Sequence, residues 1–182
     1  MEERSLPFHI PDSPIRATVL GAGSHSLQLS GCTVSLSEER LPIKGLPIVR
    51  PFASGNGPPI DGSPSQFHAR LKACISSYAS ELEPVAIVLD CIEDINYAQL
   101  RLWADALAFA LQETELPEPY VLIMPGDAAM ALGQLLRGRL NDRAIITLDG
   151  LNLEIGDYID IGRPLGASGT IPVTLKSLIF SK

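Results

Sequence analysis

Three short apolar runs limit what this chain can fold into. Val85-Ala86-Ile87-Val88-Leu89 ends at Asp90, Tyr120-Val121-Leu122-Ile123-Met124 ends at Pro125-Gly126, and Ala144 to Leu148 ends at Asp149-Gly150. None alternates, and a strand that is apolar on both faces belongs in the middle of a covered sheet. The segments around them have the other period. Phe67, Leu71, Cys74, Tyr78 and Leu82 recur every three or four residues, which predicts a helix capped at Ser63 or Ser65 and stopped by Pro84. A second helix opens at Asn96, carries Leu100, Trp103, Leu107 and Leu111 on one face, and breaks at Pro117 and Pro119. A third spans Asp127 to Leu140. Strands alternating with helices predict an α/β protein whose mixed or parallel sheet is covered on both sides.

Upstream, Arg16 to Leu36 reads as three strands joined by two tight turns. Ala17, Val19 and Leu20 lead into Gly21-Ala22-Gly23-Ser24. Leu27 and Leu29 then alternate with Ser26, Gln28 and Ser30, and Val34 and Leu36 follow Gly31. The predicted order is βββαβαβαβ. Glycines at 21 and 23 let backbone N–H groups approach an anion, with Ser24 adding a hydroxyl and His25 a cation. A dinucleotide fingerprint is excluded: it needs a third glycine where Ser26 stands and a helix where the alternation calls for a strand. A phosphate cradle and an ordinary hairpin turn both remain open for this loop. The Pro/Gly-rich stretch 42–62 reads as a long loop, with Ile43, Leu46, Ile48 and Val49 as a short edge strand inside it.

With 182 residues the chain has the length of one domain, and a formal net charge of −7 without a basic block argues against a nucleic-acid surface. Cys32, Cys74 and Cys91 are scattered and form no CxxC pair, which fits a reducing compartment rather than a disulfide framework. Residues 1–14 are irregular, carry Glu2 and Glu3, and lack a signal-peptide core. No apolar run reaches membrane-spanning length. These features predict a soluble cytoplasmic protein with a main domain over 15–150. Leu151 to Lys182 has turn glycines, Ile155, Tyr158, Ile159 and Ile161 interleaved with Asp157 and Asp160, and Val173, Leu175 and Leu178 continuing the β habit, and reads as a small C-terminal β module. Its GDYIDIG segment lacks the lysine that a lipoyl-type swinging arm requires.

Met124-Pro125-Gly126-Asp127 closes a central strand, at the edge where open α/β sheets bind ligands. Asp127 is expected to cap the third helix. Its carboxylate opposes the anion attraction of a helix N-terminus, so a nucleotide here would present its base or ribose rather than phosphate. A plain βα loop is the alternative. Asp90 and Asp149 close two other strands and read as caps or solvent-facing groups; His9 and His68 read as structural or exposed, and Cys32 as a small core residue.

IRATVLGAGSHSLQLSG, LPIKGLPIVRP, LDGLNLEIGDYIDIGRPL and IPVTLKSLIF together resemble the ethanolamine ammonia-lyase reactivating factor family, from about Ile15 to Phe180. That family is similar to actin and heat-shock ATPases. The resemblance implies a ribonuclease-H-like second lobe and a chaperone that uses ATP and Mg²⁺ to release damaged cobalamin from the lyase. It also implies cytoplasmic association with an ethanolamine-utilisation microcompartment. By the same resemblance Gly21, Ala22, Gly23, Ser24 and His25 match the second-lobe phosphate loop, and Gly126 and Asp127 the adenosine turn.

The chain resembles only the C-terminal part of the family. No DxGT-like first phosphate loop occurs in it, and that lobe supplies the acidic groups around Mg²⁺ and the attacking water. Hydrolysis needs metal and nucleophile held against the γ-phosphate, so this chain by itself is expected to be inactive, to bind nucleotide weakly, and to need an N-terminal lobe and the lyase as partners. The competing class is a non-catalytic interaction module that docks a partner through loop 42–62 and the β tail. A free-standing metabolic enzyme lacks support, because no nucleophile–base pair or metal-ligand spacing stands out.

Overall fold

The apolar runs form the centre of one sheet. A computed structural model of the protein describes residues 23–30, 32–35, 40–51, 68–70, 72–73, 84–90, 96–113, 116–141, 143–154, 156–165 and 170–178. Its strands are β1 (Gly23–Ser30), β2 (Cys32–Ser35), β3 (Ile43–Val49), β4 (Ala86–Val88), β5 (Tyr120–Met124), β6 (Ile145–Asp149), β7 (Tyr158–Ile161) and β8 (Ile171–Leu178). The helices are α1 (Tyr97–Glu113) and α2 (Ala129–Arg137), and residues 68–70 and 72–73 are also helical. The rest of the first predicted helix lies outside the described residues. Asn96 caps α1 reciprocally: its Oδ1 accepts from the Gln99 N–H and the Gln99 Oε1 accepts from its own N–H, both at 3.0 Å.

The strand order is β1-β8-β7-β3-β4-β5-β6-β2. Parallel pairing joins β3, β4, β5 and β6, and antiparallel pairing adds β7 and β8 on one side and β2 on the other. The α/β class and the mixed sheet are as the sequence predicts. The three-strand meander is not. Among the described residues β1 pairs with β8, β2 with β6, and β3 with β7 and β4; the first expected strand, 17–20, lies outside them. Period-two alternation defines a strand but not its partner. For the same reason the tail is no separate module: β7 and β8 are members of the one sheet.

β1 and β2 stand at opposite ends of the strand order, yet only position 31 separates them in the chain. The sheet must therefore curl until its two ends meet, with the strand stagger that closure requires. Curling produces two cores. Tyr120, Leu122 and Met124 face α1 and α2, where Leu107, Leu111, Leu132 and Leu136 are fully covered. Val121 and Ile123 face the inside of the curl and meet Ile48, Ile146, Ile161 and Val173. Each such side chain contributes about 1.5–3 kcal/mol of burial. Both faces of the central strands are covered as expected, but α1 and α2 share one face and strands of the same sheet cover the other.

β3 is interior, not the edge strand its Pro47 implies. The Ile48 N–H donates to the Asp157 carbonyl toward β7 at 3.2 Å, so position 47 points its nitrogen toward β4, where pairing begins only at Ile48. The missing N–H of proline therefore costs little there. A register shift between Ile43 and Leu46 accommodates Gly45 at φ +70°, a conformation glycine adopts without strain. The Gly45 N–H donates to Asp160 Oδ1 at 2.7 Å, and Lys176 Nζ pairs with the same carboxylate.

Candidate functional site

The residues that end the parallel strands form a polar rim. Arg50 follows β3, Asp90 follows the run containing β4, Gly126 and Asp127 follow β5, and Asp149 ends β6. Arg50 Nη1 donates to Asp90 Oδ1 at 2.8 Å, and Nη2 donates to the Leu153 carbonyl. One guanidinium thus ties two strand ends to the segment beyond β6. Arg50 Nε and Asp90 Oδ2 are buried without a hydrogen-bond partner among the described residues.

Asp149 organises the other half of the rim. Burial, and then the nearby charge of Asp127, raise its carboxyl above the ordinary range, and the Ala129 N–H it accepts opposes them. Asp149 thereby caps α2. The expected cap, Asp127, is an exposed turn residue, and the N-cap position is Ala128, which makes no side-chain capping bond. A carboxylate one strand away satisfies the same orphan N–H without being adjacent in sequence. Behind the rim, Ser30 Oγ accepts from the Asp149 N–H at 3.0 Å and donates to the Asp149 carbonyl at 2.9 Å. Gln28 Oε1 accepts from the Asn152 N–H at 3.1 Å and its Nε2 donates to the Asn152 carbonyl at 3.4 Å.

Of the sequence-predicted site residues, Gly21 and Ala22 lie outside the described residues. Gly23, Ser24 and His25 are the first residues of β1, in register with Leu178, Ser177 and Lys176, and His25 is exposed. The expected loop over 21–24 therefore overlaps a strand in its second half. Gly126 is half-buried and Asp127 exposed in the turn before α2. Five steps along β1, about 17 Å of extended chain, separate His25 from Ser30, where the strand reaches Asp149. The described contacts do not join the two groups.

Sequence reasoning missed Arg50, Ser30 and Gln28. Arg50 had a signal: like Asp90 and Asp149, it is a charged residue directly after an apolar run. Ser30 and Gln28 had none, because small polar residues facing inward read as the solvent side of a strand. Among the described residues no group of three or more His, Cys, Asp or Glu is placed to hold a metal ion. Among them, too, no helix is long and apolar enough to cross a membrane.

Residues 2–181 match the family model described as ethanolamine utilisation protein EutA. The chain belongs to the EutA family. Two members are similar along 97% of this chain: the ethanolamine ammonia-lyase reactivases EutA of Salmonella typhimurium strain LT2 and of Escherichia coli strain K12, each 32% identical. The matched region is 36% of their length, at the C-terminal end, so the chain spans about a third of these EutA relatives. No solved structure matches the chain significantly.

Proposed function

We propose that this chain is the nucleoside-facing part of an ATP-dependent reactivating factor for ethanolamine ammonia-lyase, in which a further N-terminal lobe supplies the groups for hydrolysis and the lyase is the client. Membership of the EutA family across residues 2–181 carries this reading. In it, ATP and Mg²⁺ drive release of damaged cobalamin in the cytoplasm or an ethanolamine-utilisation microcompartment.

The rim fits one end of the nucleotide. Asp127 and Asp149 accept hydrogen bonds and suit ribose hydroxyls, whereas their charges repel phosphate. Arg50 is already engaged by Asp90 and Leu153. Gly126, half-buried beside Asp127, has no Cβ to keep a flat group from its backbone. The family resemblance assigns phosphate to the Gly21–His25 segment, and bound ATP would contribute the γ-phosphoryl group whose transfer the N-terminal lobe supports. This chain's own part is to hold and orient the nucleoside.

The test is calorimetric titration of the chain with adenosine and with Mg·ADP. Adenosine should bind at millimolar concentration or tighter, and Asp127→Ala should weaken both ligands by the same factor, about tenfold for one lost hydrogen bond to a charged group. Loss of Mg·ADP binding in Gly23→Val with none in Asp127→Ala would overturn the assignment of the rim to the nucleoside. The client is tested with a chimera, in which this chain replaces the matched third of the Salmonella relative; absence of cobalamin release from the lyase would count against reactivation.

The interaction-module reading changes shape. Residues 43–49 are a paired interior strand rather than a docking loop, and positions 52–62 lie outside the described residues. The tail strands β7 and β8 are bound into the sheet. The observation that favours contact with another protein is β1, where Leu27 and Leu29 are 69% and 62% exposed.

A further inference from the structure

We infer that β1 is a strap, held across the seam of the curled sheet by two side chains, and that it opens there without the rest of the fold. On its β8 flank β1 is paired residue by residue, Gly23 to Leu178 through Ser30 to Ile171. On its other flank the described bonds to the end of β6 and the segment after it come from side chains. The Gln28 amide accepts from and donates to the backbone of Asn152, and the Ser30 hydroxyl does the same for Asp149. Each side chain stands in for one residue of a neighbouring strand. From Cys32 on, the chain pairs with β6 through a backbone ladder, so the bonds of Gln28 and Ser30 tie down the stretch before that ladder begins.

That substitution makes the seam the weak line. Gln28 and Ser30 lie in register with the buried Val173 and Ile171, and Ser30 is itself buried and Gln28 half-buried, so this end of β1 offers polar groups to the inner face. Its leucines point away, and separation at the seam costs them no burial. Net hydrogen bonds contribute far less than the apolar contacts that hold β4, β5 and β6. Leu148 and Leu153, members of the inner core, flank the bonded residues Asp149 and Asn152. Opening therefore uncovers apolar surface, and it loosens Asp149, whose carboxylate holds the first N–H of α2 beside Gly126 and Asp127.

Residue-resolved amide hydrogen exchange of the whole chain tests this directly. The Asp149 and Asn152 amides, which donate to the two side chains, should exchange at least about 100-fold faster than the Leu122 and Ile123 amides of β5, because local opening precedes global unfolding. In Gln28→Ala/Ser30→Ala both seam amides should accelerate about another tenfold while the β5 rates stay unchanged. Equal rates for seam and β5 in the unmodified chain would overturn the strap, since the seam would then open only with the entire fold. That comparison needs no variant, so failure of the double variant to fold would not protect the inference.

Discussion

On the helix-backed flank, β4, β5 and β6 run parallel, and side chains along each are buried alternately against α1 and α2 and against the inside of the curl. On the curled flank β7 and β8 are antiparallel, and β1 turns Leu27 and Leu29 to solvent while Ser30 is buried. The first flank is held by apolar burial on two faces. The second is held by register, by the Asp160–Lys176–Gly45 cluster, and at the seam by Gln28 and Ser30. Stability is thus concentrated in the helix-backed flank, and the adaptable strand lies where the sheet has to close.

Leu122→Ala should show the largest effect. Its side chain is fully covered between β5 and the helices, and truncation should cost about 3 kcal/mol in chemical denaturation. A loss under about 1 kcal/mol would mean the helix-backed flank is not the stability centre.

Glu118→Gln should fall in the middle. Glu118 accepts from the Ala144 N–H at 3.1 Å and from Arg143 at 2.9 Å, with Arg40 at 3.6 Å. Burial pushes its carboxyl up, but those donors and charges outweigh it and hold the group below its ordinary value. A depressed folded value stabilises above the unfolded carboxylate range and is lost as pH falls through it. The variant should therefore be about 1 kcal/mol less stable at neutral pH, and its melting temperature should converge with that of the unmodified chain in acid. Asp160 on the curled flank, likewise lowered by Lys176 and the Gly45 N–H against its burial, follows the same sign. Curves that stay parallel down to acid would remove the charge explanation.

Leu27→Ser/Leu29→Ser should show the smallest effect, within about 0.5 kcal/mol, because both side chains are already in water. A loss of 2 kcal/mol or more would erase the distinction between the flanks.

The helix-backed flank was also the legible one. Continuous apolar runs and a 3.6-residue period encode strands β4 to β6 and helix α1 almost residue for residue, since burial on two faces leaves no freedom in composition. The curled flank was read as a meander and a separate tail because alternation says that Ile159 and Val173 face a core without saying which. In β1 even the direction was hidden: Leu27 and Leu29 outward with Ser30 buried invert the usual sense, and the reason is the seam, a tertiary demand invisible in local sequence. At the rim the turn at Gly126 and Asp127 was legible from chain punctuation. The capping by Asp149 was not, because it acts across strands.

Closure of the sheet has a consequence for biosynthesis. Ser30 meets Asp149, 119 residues later in the chain, and the remainder of β1 awaits β8, which is made later still. A nascent chain can assemble β4, α1, β5, α2 and β6 from near neighbours while β1 is still unmatched. Long-range pairings of this kind form late and slowly, and unpaired strands with exposed leucines are prone to associate with other chains. Whatever shelters β1 on the ribosome must hold it until β8 emerges, which makes chaperone occupancy of β1 a determinant of how much folded protein a cell obtains.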